Sequence, residues 1–83
     1  MKVTLKFFAS IREVIGQGQE MRETGATTLA QLRTELLAVG APYADSLGRD
    51  RAVRMALDQV MSDESAPLTD GCEVAFFPPV TGG

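Results

Sequence analysis

Thr28-Leu29-Ala30-Gln31-Leu32-Arg33-Thr34-Glu35-Leu36-Leu37-Ala38-Val39 is the clearest helix in this chain, and the fold is read outward from it. Leu29, Leu32 and Leu36 fall on one face at helical spacing, with Leu37 beside them. Thr28 offers a capping oxygen, and Gln31 three residues later completes a capping box. Gly40 and then Pro42 stop the helix. One helix with one apolar stripe reads as a cover for a sheet, so strands are expected on both sides of it in sequence.

On the N-terminal side, Val3, Leu5 and Phe7 alternate with Lys2, Thr4 and Lys6, the period of a half-buried strand. Phe8 breaks that alternation and turns toward the other side. Ser10 to Gly16 reads as a short helical turn that Gly16 ends. The polar stretch Gln19 to Glu23, centred on Met21, reads as an edge strand returning from the loop at Gly16 to Gly18. On the C-terminal side, Tyr43 to Leu47 forms another short turn. Val53, Met55 and Leu57 then alternate with Arg54 and Ala56, and Asp58-Gln59 turns that strand toward Val60-Met61. Asp70-Gly71 closes a tight turn, since Gly suits positive φ. Glu73 to Phe77 is a last strand that stops at Pro78-Pro79, because proline donates no ladder hydrogen bond. The first and last strands are the most hydrophobic, as central strands are. The expected fold is α+β: a ubiquitin-like β-grasp, a mixed sheet with one main helix packed across it, spanning residues 1–77, followed by an extended tail, 78–83.

Composition narrows the function. Eighty-three residues make one domain, and 45% apolar with 23% charged residues is ordinary for a globular chain. A net charge of −3 argues against nucleic acid, and the basic cluster Arg49, Arg51 and Arg54 is interrupted by Asp50 and reads as a solvated turn. No apolar run approaches the ~20 residues of a membrane span, and Met1-Lys2-Val3-Thr4 enters a strand pattern without an apolar leader. A cytoplasmic location is expected. There is no His to act as a base near neutral pH. The single Cys72 excludes an intrachain disulfide and a Cys/His zinc site, and its place at the start of an apolar strand reads as a small buried hydrophobe. No metal site and no side-chain catalysis of the chain's own are expected.

The chemistry is therefore sought in Pro78-Pro79-Val80-Thr81-Gly82-Gly83. Two prolines favour an extended conformation that projects the residues beyond them away from the body. Two glycines fit a channel that any Cβ would block. Such a tail delivers a terminal carboxylate, on Gly83. Glycines at a terminus are often mere frayed chain, but here they follow a stiff spacer and a hydrophobic strand.

These residues carry a resemblance. Phe76-Phe77-Pro78-Pro79-Val80-Thr81-Gly82-Gly83, with Pro67-Leu68-Thr69-Asp70-Gly71 and Glu73-Val74-Ala75 before it, resembles the small, sulfur-carrying subunit of molybdopterin synthase. Val3-Thr4-Leu5-Lys6-Phe7-Phe8-Ala9 with Arg12-Glu13 is similar to that family's first strand and turn. The resemblance implies that an adenylating enzyme similar to ubiquitin-activating enzymes uses ATP to convert the Gly83 carboxylate to an acyl-adenylate. A persulfide donor then leaves a thiocarboxylate, and the large synthase subunit, in a heterotetramer of two small and two large chains, passes the sulfur to a cyclic pyranopterin precursor. It implies no permanently bound cofactor and no catalytic side chains here. Phe7, Met61 and Phe77 are expected to form an apolar docking patch with Arg12 beside it, although alternation equally suits Phe7 to the core; Pro78, Pro79, Val80 and Thr81 complete the interface, and Gly82 with the Gly83 carboxylate carries the chemistry. Asp58-Gln59 stands where the family often has Asn-Gln, a change that bears on the turn and not the tail. Two rivals remain: a sulfur carrier for another pathway (thiazole, cysteine or tRNA thiolation), and a ubiquitin-like protein modifier. A third reading is a β-grasp interaction module with an inert tail.

Overall fold

The computed structural model describes residues 1–79. In chain order the elements are β1 (Lys2–Phe7), α1 (Ala9–Ile15), β2 (Gln19–Glu23), α2 (Leu29–Val39), α3 (Tyr43–Leu47), β3 (Arg54–Leu57), β4 (Val60–Ser62) and β5 (Glu73–Phe77). The five strands form one sheet in the order β2-β1-β5-β3-β4. The central pair β1 and β5 runs parallel, Leu5 opposite Val74 and Phe7 opposite Phe76. The other pairings are antiparallel. The sheet is mixed and both hydrophobic strands are interior, as alternation and composition imply.

One face of the sheet is dry. Val3, Leu5 and Phe7 of β1, Met55 of β3 and Val74 and Phe76 of β5 point into a single core with Leu29, Leu32 and Leu36 of α2. Phe7 stacks on Phe76 with ring centroids 5.6 Å apart. Each such side chain, fully removed from water, contributes roughly 1.5–3 kcal/mol of hydrophobic stabilisation. All three helices supply this core through Ile11, the α2 leucines, and Tyr43 and Leu47. Among the described residues, the three helices all contribute to the core on the first face and none is seen covering the other, and that asymmetry positions the site.

Local signals explain the element ends. Gly16 takes φ 90° and its N–H donates to the Arg12 carbonyl, ending α1. Thr28 caps α2 by accepting from the Gln31 N–H. The reciprocal half of the expected capping box is displaced by one residue, because Gln31 Oε1 accepts from the N–H and hydroxyl of Thr27 instead. Thr28 is there drawn into a β-bridge with Pro67, which ties the helix start to the segment before β5. Asp58 and Gln59 have φ 49° and 69°, the two positive angles of a tight hairpin turn. The turn before β5 is latched onto β1: the Lys2 N–H donates to the Asp70 carboxylate at 2.8 Å, and the Gly71 N–H donates to the Lys2 carbonyl at 2.7 Å.

Sequence patterning did not foresee Arg33. It lies on the buried side of α2, only 3% exposed, and its guanidinium ties three loop carbonyls to the helix. Nε donates to Leu47 O at 2.8 Å and Nη2 donates to Gly48 O at 2.8 Å and Arg51 O at 3.1 Å. Glu64 supplies the counter-charge at 3.2 Å and also pairs with Arg49. Desolvation lowers the Arg33 pKa from its ordinary value, with Glu64 opposing.

Candidate functional site

The helix-free face of the sheet is built from the alternate residues of its strands. Thr4 and Lys6 come from β1, Glu73, Ala75 and Phe77 from β5, Arg54 and Ala56 from β3, and Met61 from β4. Register puts Ala75 beside Ala56 and Ala56 beside Met61, while Phe77 stands opposite Arg54. Two alanines in the middle leave a shallow floor between larger walls. Val60 and Met61 are 65% and 55% exposed on the short strand at the rim. This apolar surface ends in a pocket of about 470 Å³ walled by Phe8, Met61, Phe77 and Pro78. Contiguous exposed apolar surface of this kind marks an interaction site more often than a bare surface does.

The chain leaves the sheet at this place. β5 is paired with β1 up to Phe76 and with β3 up to Phe77, and Pro78 and Pro79 then line the pocket wall. Pro78 and Pro79 also border a second groove of about 520 Å³ on the helix side, against Ile11, Val14, Arg51 and Val53. The root of the tail thus has an apolar depression on each side. Val80, Thr81, Gly82 and Gly83 lie outside the described residues.

Phe7 needs correcting. It is 1% exposed and stacked in the core, so it offers no surface to a partner; strict alternation with Val3 and Leu5 put it on the inner face. Phe8 holds the outer position. It is 40% exposed and lies flat on Phe77, with centroids 4.7 Å apart and planes 10° from parallel. The signal for Phe8 was its break in the hydrophobic alternation, and the backbone shows why it faces out: Phe8 is still extended (φ −125°, ψ 155°), so it continues the strand alternation to the side opposite Phe7, and only at Ala9 (φ 51°) does the chain turn into α1. Met61 and Phe77 do share one surface, Phe77 half-buried and Met61 exposed. Arg12 is exposed on α1 and lies along Gly18 instead of among them: a Cβ built on Gly18 sits 3.2 Å from its Nε.

Polar groups frame the face without crowding it. Lys6 pairs with Glu73 at 3.3 Å. The Asp58 carboxylate accepts from the Glu73 N–H at 2.9 Å and its own N–H donates to the Glu73 carbonyl, so the β3–β4 turn is pinned to the start of β5. An Asn at 58 presents the same acceptor, so the Asp departure leaves this turn intact. Cys72 is 3% exposed and packed in the core. The basic cluster divides: Arg49 pairs with Glu64 and donates to the Ala30 carbonyl and the Thr34 hydroxyl, while Arg54 faces the apolar pocket. At the far edge, Glu20 accepts from the Tyr43 hydroxyl; burial first, then that bond, pushes the Tyr43 pKa up to about 12. Among the described residues no helix is long and apolar enough to cross a membrane, and no cluster of His, Cys, Asp and Glu could hold a metal.

Known proteins place these features. The sulfur carrier subunit of molybdopterin synthase from Escherichia coli (strain K12) is 38% identical over 81 residues, covering 98% of this chain and 99% of that one. A solved complex of subunits 1 and 2 of molybdopterin-converting factor from Helicobacter pylori contains a chain of the same fold, with TM-score 0.69, 28% identity and full coverage of both chains. SAMP1 from Haloferax volcanii superposes with TM-score 0.77 over the whole of both chains, a likeness of fold at 24% identity. The architecture is the ubiquitin-like β-grasp. The ThiS family model matches residues 5–83, and this chain belongs to the ThiS family.

Proposed function

We propose that this chain is the sulfur carrier subunit of a molybdopterin synthase and works through the carboxylate of Gly83. The reading is carried by 38% identity to a protein of that name along nearly the whole of both chains. The open face supports it: an apolar patch adjoins the point where Pro78 and Pro79 leave the sheet, so a partner seated there meets the tail at its root. The Helicobacter pylori complex, by its name, joins two subunits of one converting factor, and a large synthase subunit is the partner proposed here, in a heterotetramer of two small and two large chains.

The chemistry rests on the groups available. A carboxylate is a poor electrophile, so an adenylating partner joins it to AMP, using ATP and releasing pyrophosphate. The terminal sulfur of a persulfide attacks the acyl carbon and AMP leaves. A thiol then cleaves the S–S bond, becoming part of a disulfide and freeing the thiocarboxylate. That group is a softer nucleophile than the carboxylate and transfers sulfur to a pyranopterin precursor in the large subunit. The chain has no His and its one thiol is buried, so acid–base groups and pterin binding fall to the partner, and no cofactor stays bound to the carrier. The work is assigned to the cytoplasm, where ATP and persulfide donors are available.

Intact mass after incubation with ATP, an adenylating enzyme and a persulfide donor tests the proposal. A gain equal to one oxygen replaced by one sulfur, located at Gly83, is expected. No gain, from an enzyme shown to be active on another carrier, refutes it. One residue appended after Gly83 is expected to abolish loading while leaving the fold intact.

A further inference from the structure

The geometry points to Arg54 as the charge-selecting residue of the docking face, requiring a carboxylate on the partner beside the side chain that enters the apolar pocket. The inference rests on the reading above that this face receives a protein partner.

Arg54 sits opposite Phe77 in the β3–β5 ladder and lines two adjoining depressions, the apolar pocket with Phe8 and Met61 and a shallower one beside Ser62 and Asp63. It is exposed. Among the described residues no carboxylate lies within 4.0 Å of its guanidinium, and it donates no hydrogen bond. The acidic residues nearest in the fold are already engaged. Glu64 is shared between Arg33 and Arg49. Asp63 accepts from the N–H and hydroxyl of Ser65, which lower its pKa from the ordinary carboxylate value. Lys6, also on this face, is neutralised by Glu73, and Lys2 lies at the far end of β1. Among the described residues, Arg54 is therefore a positive charge without an ion-pair partner at the edge of the apolar pocket, in a chain whose net charge is −3.

A free guanidinium in water costs nothing. Covering it with an apolar partner removes its hydration and returns no partner charge, so a purely hydrophobic contact is penalised. A surface presenting an aliphatic or aromatic side chain with Asp or Glu beside it regains the charge and two parallel hydrogen bonds, which a planar guanidinium accommodates. Arg54 thus selects among apolar partners by penalising those without the acid. The chain is acidic overall, so a cation at the edge of the apolar pocket helps fix the orientation of an acidic partner on this face.

The test uses the full chain and the purified large subunit of the molybdopterin synthase from the same organism, with affinity and rates measured at about 0.05 and about 0.15 M salt. Arg54→Met keeps the aliphatic stem and removes the charge; Arg54→Gln serves where the first variant fails to fold. The expected result is affinity weakened by about 30-fold, mainly through faster dissociation, together with a flatter salt dependence. Arg54→Glu is expected to abolish binding, and a Glu or Asp to Lys change on the large subunit to restore it. Binding within about twofold of the parent by Arg54→Met, with unchanged salt dependence, overturns the assignment. Phe77→Asp separates the two readings: if it too leaves affinity unchanged, the docking face itself is wrong, whereas loss of binding by Phe77→Asp alone removes only the role of Arg54.

Discussion

Replacing Arg33 with Met tests whether a buried cation, and not the leucine stripe alone, secures α2 to the loop that enters β3. The side chains are of similar bulk, so the change removes charge and donors while largely filling the space. Three carbonyls lose their donors: Leu47, Gly48 and Arg51. The Leu47 bond is buried, and an unsatisfied buried acceptor costs about 1–3 kcal/mol. The bonds to Gly48 and Arg51 are only partly buried, so water replaces much of them and together they add about 1 kcal/mol. Glu64 retains Arg49 and is not orphaned. The expected loss is about 3 kcal/mol, a large part of the roughly 4–12 kcal/mol available to a domain of this size. In thermal unfolding that lowers the Tm by about 12–24 °C. Arg33→Lys is expected to lose about half as much, since one ammonium cannot reach all three carbonyls. Denaturant titration measures the difference, and amide exchange should quicken first at Arg51 and Val53, whose N–H groups donate within the tethered loop. A loss below about 1 kcal/mol for Arg33→Met would refute the reasoning and assign the loop's order to Tyr43 and Leu47 packing alone.

Met61→Asp and Phe77→Asp are expected to weaken large-subunit binding by at least about tenfold while costing about 1 kcal/mol or less in stability for Met61, because it is largely exposed; calorimetric binding beside thermal melts checks both. Tyr43 is the only tyrosine and there is no tryptophan, so tyrosinate absorbance reports it alone; its midpoint is expected at about 12. Because the folded pKa lies above the unfolded value, the stability from this group is full below about pH 10 and is lost as pH rises toward 12. Glu35 works in the opposite sense: burial alone would raise its pKa, but hydrogen bonds from Thr24 and Arg22 outweigh it and the net shift is downward. Its stabilisation is present above the ordinary carboxylate pKa and lost as pH falls through the lowered one, so Glu35→Gln should flatten the acid limb of a stability–pH curve. Asp58→Asn is expected to change stability by less than about 0.5 kcal/mol in denaturant titration, since Asn keeps the acceptor for the Glu73 N–H and tolerates positive φ.

The parts of this fold that sequence reveals are those governed by period and by special backbone angles. Alternation in Lys2–Phe7, leucine spacing in α2, and the turns at Asp58-Gln59 and Asp70-Gly71 are each decided within a few residues, and each appears where expected. Arg33 was not legible because its period marks it as an ordinary helix residue; only the distant carbonyls of the α3–β3 loop give it a reason to be buried. The site divides in the same way. Met61 and Phe77 were legible as apolar residues on short strands near the tail. The exchange of Phe8 for Phe7 turned on one residue of register at a strand end: Phe8 is still extended, so alternation carries its ring to the outer face. Val80 to Gly83 lie outside the described residues, so the tail's role stands on chemistry and kinship.

The parallel pairing of β1 with β5 has a consequence for biogenesis. Thr4 is bonded in register with Glu73, so the first strand made waits for almost the last before the centre of the sheet exists. Pairings this distant in sequence slow folding. They also make it conditional: a chain that stops before Glu73 leaves Val3, Leu5 and Phe7 without their neighbour. The strand that closes the core also leads into Pro78 and Pro79, so a tail can be presented only by a body that has already folded. In the proposed role, a partner seated on the sheet face would thereby meet folded copies alone, since misfolded or shortened ones lack that surface.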